Sequence, residues 1–131
     1  MFSLAQHRIC ADSEPPLDPL QGQFVTDKID RFKALKTKFP DSEMPRWSLA
    51  TAYEEAGSYA EAIIEFKELV ALKPDYCIAF VHLGGCLIEE ERHDEAIAAL
   101  EEGIRLAVDQ GHMAPKQEAE MLIEQAREEL E

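Results

Sequence analysis

Apolar positions along this chain fall into helical stripes divided by short breaks. From Thr26 to Phe39 the residues Ile29, Phe32, Leu35 and Phe39 are spaced by 3, 3 and 4. That spacing makes one face of a helix, with Thr26 as N-cap and an end before Pro40. A second helix is expected from Glu43 to Glu55, with Ser42 as N-cap and Pro45 in the first turn, where a missing N–H is tolerated. Gly57 breaks it. Ser58 and Glu61 then read as a capping box for a third helix, which runs to Lys73 with Ala62, Phe66, Leu69 and Val70 inward. Pro74 ends that helix, and Asp75 is placed to cap the next.

The pattern continues with helices near Tyr76–Glu90 and Asp94–Ala107, joined by a turn, Glu91-Arg92-His93, that lacks glycine. Gly111 suits a helix C-terminus and Pro115 a helix start. From there Ala119, Leu122, Ile123, Ala126 and Leu130 share one face of a last helix. Its other side is polar, as a terminal capping helix requires.

These stripes repeat. Leu49 recurs as Leu83, Ala50 as Gly84, Ala62 as Ala96, Ile63 as Ile97 and Pro40 as Pro74, all at one constant interval. A fixed period of roughly 34 residues means stacked supersecondary units. The residues that carry it resemble the tetratricopeptide repeat family. The first unit supplies Leu49, Ala50, Tyr53, Gly57, Tyr59, Ala62, Phe66 and Pro74; the second supplies Phe80, Leu83, Gly84, Leu87, Ala96, Leu100 and Gly103. The small residues let paired helices approach, and the aromatics fill the wedge between successive pairs. Two positions depart from the family pattern. Arg46, with Trp47 beside it, replaces the first unit's aromatic, and Val108 stands where the second unit's terminal proline belongs. The second departure implies that the helix from Asp94 runs on towards Gly111.

The resemblance implies an all-α fold, a right-handed superhelix of antiparallel helix pairs with about six helices. Residues 1–24, with Pro15, Pro16 and Pro19, read as an extended or disordered lead-in. Residues 25–131 then form one domain. Within it lie a packing helix (25–39), two repeats (43–76 and 77–110) and a capping helix (114–131). The first helix occupies the place of a repeat's second helix, without a first helix of its own.

Composition fits this picture, with 131 residues, 46% hydrophobic and 31% charged. No apolar run approaches the roughly 20 residues of a membrane span, and no export or anchoring segment is read at the start. Cys10, Cys77 and Cys86 form neither a paired framework nor a metal spacing, which points to reduced thiols in a cytoplasmic protein. The formal charge of −14 is uneven: residues 1–40 carry six Lys/Arg and five Asp/Glu, residues 41–131 seven and twenty-two. Such a body repels phosphate backbones and argues against nucleic acid as a partner. Its field favours basic peptides, or serves solubility alone.

In the tetratricopeptide repeat family the first helix of each pair lines a concave groove that takes extended or helical peptides. Carried over by helical phase, the groove residues are Met44, Trp47, Thr51 and Glu54 in the first unit. In the second they are Ile78, Val81, His82, Gly85, Ile88 and Glu89. Glu54, Glu55, Glu89, Glu90 and Glu91 fall at matching places and are expected to form one acidic edge, read either as a solvated turn or as a rim that steers a basic peptide. Trp47 faces the groove or rotates into the core. The carboxylate clamp of chaperone-binding relatives is absent, since Trp47, Thr51, Ile78, His82 and Gly85 stand at its places.

No catalytic, cofactor or metal site is expected: His82 and Cys86 lie one turn apart without a second ligand pair, and no phosphate loop or nucleophile motif is present. The expected function is a non-catalytic adaptor that binds a peptide segment of another protein, as a monomer or weak homodimer. The alternative is a self-assembling module whose basic first helix packs on the acidic body of a second chain.

Overall fold

The computed structural model describes residues 19–131, with side chains from Thr26 onward. The expected lead-in lies largely outside the described residues, as does Cys10. Among the described residues six helices follow one another: α1 (Pro19–Lys38), α2 (Glu43–Glu55), α3 (Tyr59–Leu72), α4 (Cys77–Glu89), α5 (His93–Gln110) and α6 (Met113–Leu130). The same residues contain no strand. The pairs α2–α3 and α4–α5 stack on each other, α1 packs against α2, and α6 packs against α5 and α4.

The boundaries correct two expectations. First, α1 begins at Pro19, well before Thr26, so Thr26 sits inside the helix and is no cap. Proline is accommodated at a helix start because its missing N–H is one of the orphan groups and its φ is already helical. Pro19 therefore does not exclude a helix up to residue 24, and Pro15 and Pro16 lie outside the described residues. Second, Ser42 and Ser58 occupy N-cap positions but make no side-chain cap hydrogen bond, so the capping box of Ser58 and Glu61 is not formed. The Ser58 carbonyl instead accepts the Ala62 N–H at 3.0 Å. Likewise Tyr76, not Asp75, is the N-cap of α4. The extension of α5 to Gln110 matches the reading of Val108.

Three turns close helices in one way. Ser58 N–H reaches back to the Tyr53 carbonyl at 2.9 Å, Arg92 to Leu87 at 2.8 Å and His112 to Ala107 at 2.8 Å. This loop needs one residue in the left-handed region just before the donor. Gly57 (φ 80°) and Gly111 (φ 74°) supply it at two turns, and Glu91 supplies it at φ 61° in the third.

A main core runs between the layers, and a smaller cluster of Cys77, Leu106 and Ala107 packs with Phe80. The largest fully buried side chains include Phe66, Leu49, Ile63, Leu69, Leu87 and Leu100. Ala50, Ala62 and Ala96 are wholly buried where paired helices meet. At Gly84 the approach is closer still, and a Cβ there would overlap the Leu100 side chain. The basic α1 is bound to the acidic body of its own chain: Lys28 reaches Glu55 at 3.2 Å, and Lys36 reaches Glu65 at 2.9 Å and Glu68 at 2.8 Å. The Lys36 hydrogen bond holds Glu68 below the usual carboxylate range, against the opposing effect of burial.

Candidate functional site

The first helices of successive units, α2 and α4, lie side by side, and α6 takes the corresponding place beyond them. They enclose an open cleft of about 210 Å³. From α2 comes Glu54; from α4 come His82, Gly85 and Glu89 at the walls and Val81 and Ile88 at the floor. Tyr59 enters from the start of α3, and Glu118, Leu122 and Gln125 form the far wall on α6. Helical spacing explains the α6 set: residues 118, 122 and 125 lie on one face.

His82 holds the cleft together. Its Nδ1 lies 2.9 Å from Glu54 Oε1, which links α4 to α2. Burial favours the neutral ring, but the hydrogen bond and charge of Glu54, with the charge of Glu118, outweigh it and raise the His82 pKa above its ordinary value. Behind His82 stand aromatic rings: Phe66 stacks on it at 5.7 Å, and Trp47 meets it edge-on at 5.1 Å. Burial, then the charges of Glu54, Glu89 and Glu90, push the Cys86 thiol up to about 12, which leaves it protonated and unreactive. Among the described residues no group of three His, Cys, Asp or Glu side chains is placed to hold a metal ion.

Six of the ten expected groove residues therefore meet in this cleft, and four do not. Val81 and Ile88, expected at the surface, belong to the core at 1% and 7% exposure and only floor the cleft with their edges. Thr51 turns its hydroxyl back to the Trp47 and Ser48 carbonyls at 2.9 and 3.1 Å. Met44 is exposed at the start of α2, and Ile78 is half-buried. Trp47 is half-buried in a cluster with Phe66, Tyr76 and His82, at centroid distances of 5.9, 5.5 and 5.1 Å.

The acidic edge is likewise divided. Glu54 is taken by His82 and Glu55 by Lys28, while Glu89 and Glu91 border a second, polar hollow beside His93, Gln125 and Glu129. The α6 wall is absent from the expected groove, because the sequence of that helix reads only as a cap. The signal for it lies in the length of α5, 18 residues against 14 for α3, which carries α6 out of step with the repeat period.

The sequence model of the tetratricopeptide repeat matches residues 53–115. No curated protein gives a significant match. Among solved structures, PcrH in complex with the chaperone binding region of PopD is similar with a TM-score of 0.77 at 18% identity, over 86% of this chain and 85% of that one. The TPR2B domain of yeast Sti1, in a complex with pHsp70, gives a TM-score of 0.75 at 14% identity over 84% and 88%. A tetratricopeptide repeat domain protein from Salinibacter ruber gives 0.61 at 28% identity over 66% and 97%. Stacked helix pairs, their constant period and these likenesses agree: residues 53–115 carry the tetratricopeptide repeat, and the chain has the fold of tetratricopeptide repeat proteins.

Proposed function

We propose that this chain is a non-catalytic adaptor that holds a peptide segment of another protein in the cleft between α2, α4 and α6. One observation carries the reading. An apolar lining of Val81, Ile88 and Leu122 lies beside two carboxylates, Glu89 and Glu118, with a third, Glu54, paired to His82, on the open side of stacked helix pairs. Apolar floors reward burial of a side chain, and the carboxylates select one that carries positive charge. The occupant is therefore an extended or helical segment in which Lys or Arg neighbours an apolar residue. PcrH, similar in fold, is held in its solved structure with a segment of a partner protein, which supports the same type of use here. A carboxylate-terminated tail, by contrast, would meet like charge in this cleft. Cys77 and Cys86, buried as free thiols, accord with a reducing, cytoplasmic setting.

Gly85 provides the test. A Cβ at this site meets only Leu122 Cδ1, at 4.0 Å, so a larger side chain grows into the cleft and not into the core. Helix propensity favours the exchange as well. Peptides selected by the wild-type chain from a random display library are expected to carry Lys or Arg next to an apolar residue. Gly85→Leu should lose their binding by tenfold or more while its circular dichroism and unfolding remain cooperative. Selection of no consensus, or binding indifferent to Gly85→Leu, would remove the cleft from the function.

A further inference from the structure

The first and last described helices are opposite halves of one unit. In chain position α1 corresponds to a second helix, since Pro40 after it lies one full period before Pro74, yet no described first helix covers it. Its unused face is visible in the side chains. Leu35 stands one period before Leu69, which is fully buried, and two periods before Gly103, which packs on its own first helix through Phe80 and Val81. Leu35 itself is 36% exposed and Phe39 48%. Arg31 and Lys38 flank them at helical spacing, and neither makes an ion pair among the described residues.

The other end shows the converse. α6 stands where a third unit's first helix belongs, and no second helix follows it among the described residues. Between α5 and α6 an open cleft of about 390 Å³ remains, floored by Ile104 and Ile123 and edged by Glu101, Glu120 and Glu124, with Arg127 at one side. Ile104 lies one period after Val70, which is half-buried against the core. This cleft is thus the site a further second helix would fill.

We propose that α1 of one copy seats in the α5–α6 cleft of another, completing one helix pair across the junction and joining chains head to tail. Charge complementarity names a second copy as the occupant. With Lys28 and Lys36 held by their own chain, α1 still offers Arg31, Lys33 and Lys38. α6 carries five Glu, of which Glu124 is in no ion pair among the described residues and Glu120 would exchange Lys116, now at 2.8 Å, for the incoming cation. Arg31 and Lys38 meet Glu120 and Glu124, while Leu35 and Phe39 cover Ile104 and Ile123. α1 keeps its contacts with its own α2, because a second helix in such an array touches neighbours on both sides. The contact is heterologous, so it does not saturate at two copies.

Sedimentation velocity of the full chain over a concentration series tests this. Mass should rise beyond two copies with concentration, and association should weaken roughly tenfold or more between about 0.05 and 0.5 M salt. Two surface variants, Arg31→Glu/Lys38→Glu and Glu120→Lys/Glu124→Lys, should each be monomeric alone, with unchanged helicity, and should associate when mixed. A wild-type chain that stays monomeric at high concentration and low salt overturns the proposal, since another part of the chain or nothing then covers these faces. Association of either variant by itself overturns it too, because a symmetric contact would need only one end.

Discussion

Leu69 and Arg46 of the first helix pair stand one period before Gly103 and Phe80 of the second, and Gly103 packs on Phe80. Both positions on the later helix are buried, yet they solve the approach differently. At Gly103 a Cβ would come within 3.2 Å of Phe80 Cβ and 3.4 Å of Val81 Cγ2, so glycine is what lets α4 and α5 come this close. In the first pair the buried Leu69 holds the glycine's place and Arg46 holds the aromatic's, bonding to Glu68 at 2.6 Å and to the Pro40 carbonyl at 3.0 Å. The aromatic of that unit moves one residue on, to Trp47, which joins Phe66, Tyr76 and His82. Volume is conserved across a helix pair, not position by position.

Exchanging residues between the pairs breaks this balance, and the largest effect is expected at Gly103. Gly103→Leu imports the first pair's residue beneath Phe80 and should cost about 3 kcal/mol in urea unfolding. Adding Phe80→Arg, the first pair's own companion, should recover only a small part of the loss, because arginine keeps the Cβ that the new side chain meets. If Gly103→Leu unfolds at the wild-type urea concentration, the close approach of α4 and α5 is not a constraint and the compensation argument fails.

The turns offer a second contrast with a smaller effect. Gly57 and Glu91 occupy matching places, with φ 80° and 61°, and the same backbone bonds surround both. A left-handed conformation is open to glycine and costs other residues about 1 kcal/mol. Glu91→Gly should therefore stabilise the chain by about 1 kcal/mol and raise its midpoint by a few degrees, while Gly57→Ala should lower it by a similar amount. Equal melting temperatures for both variants and the wild type would mean that these turns do not carry the strain.

What the residues alone reveal follows from this comparison. Periodic spacing of Leu49 and Leu83, Ala62 and Ala96, Phe66 and Leu100 is enforced by burial at the helix contacts, so the helix pairs are legible. The Glu91 turn visibly lacks glycine, but its left-handed backbone is hidden, because the neighbouring helices impose it and the residue does not. Ser58 and Glu61 have the right types for a capping box, yet the Schellman loop before them fixes the backbone and the side-chain bond is not made. At the site, Glu54, His82 and Gly85 are found because helical phase places them. Val81 and Ile88 are set too far out by phase alone, since the wedge between α4 and α6 narrows where α6 closes on α4. Glu118, Leu122 and Gln125 escape notice for the same reason: a helix that reads as a cap is also a wall.

The smallest effect separates the pairs at the place of Ser48 and His82, again one period apart. Only the second pair has a titratable group here, and it ties α4 to Glu54 of α2 at 2.9 Å. Burial opposes its protonation, and Glu54 and Glu118 favour it, with a net upward shift from 6.5. A raised folded pKa means that the folded chain binds the proton more tightly than the unfolded one. The stabilisation is then fully present below the unfolded value of 6.5 and is lost as pH rises through the higher, folded value. His82 is partly open to solvent, so the gain is expected to be under about 1 kcal/mol. His82→Gln keeps a hydrogen-bond donor near Glu54 without the titration. The stability difference between wild type and His82→Gln, measured by urea unfolding from pH 6 to pH 9, should be largest at pH 6 and shrink towards pH 9. Parallel curves would show that His82 is not charged by Glu54, and a difference that grows with pH would mean that burial wins and the ring stays neutral in the folded chain.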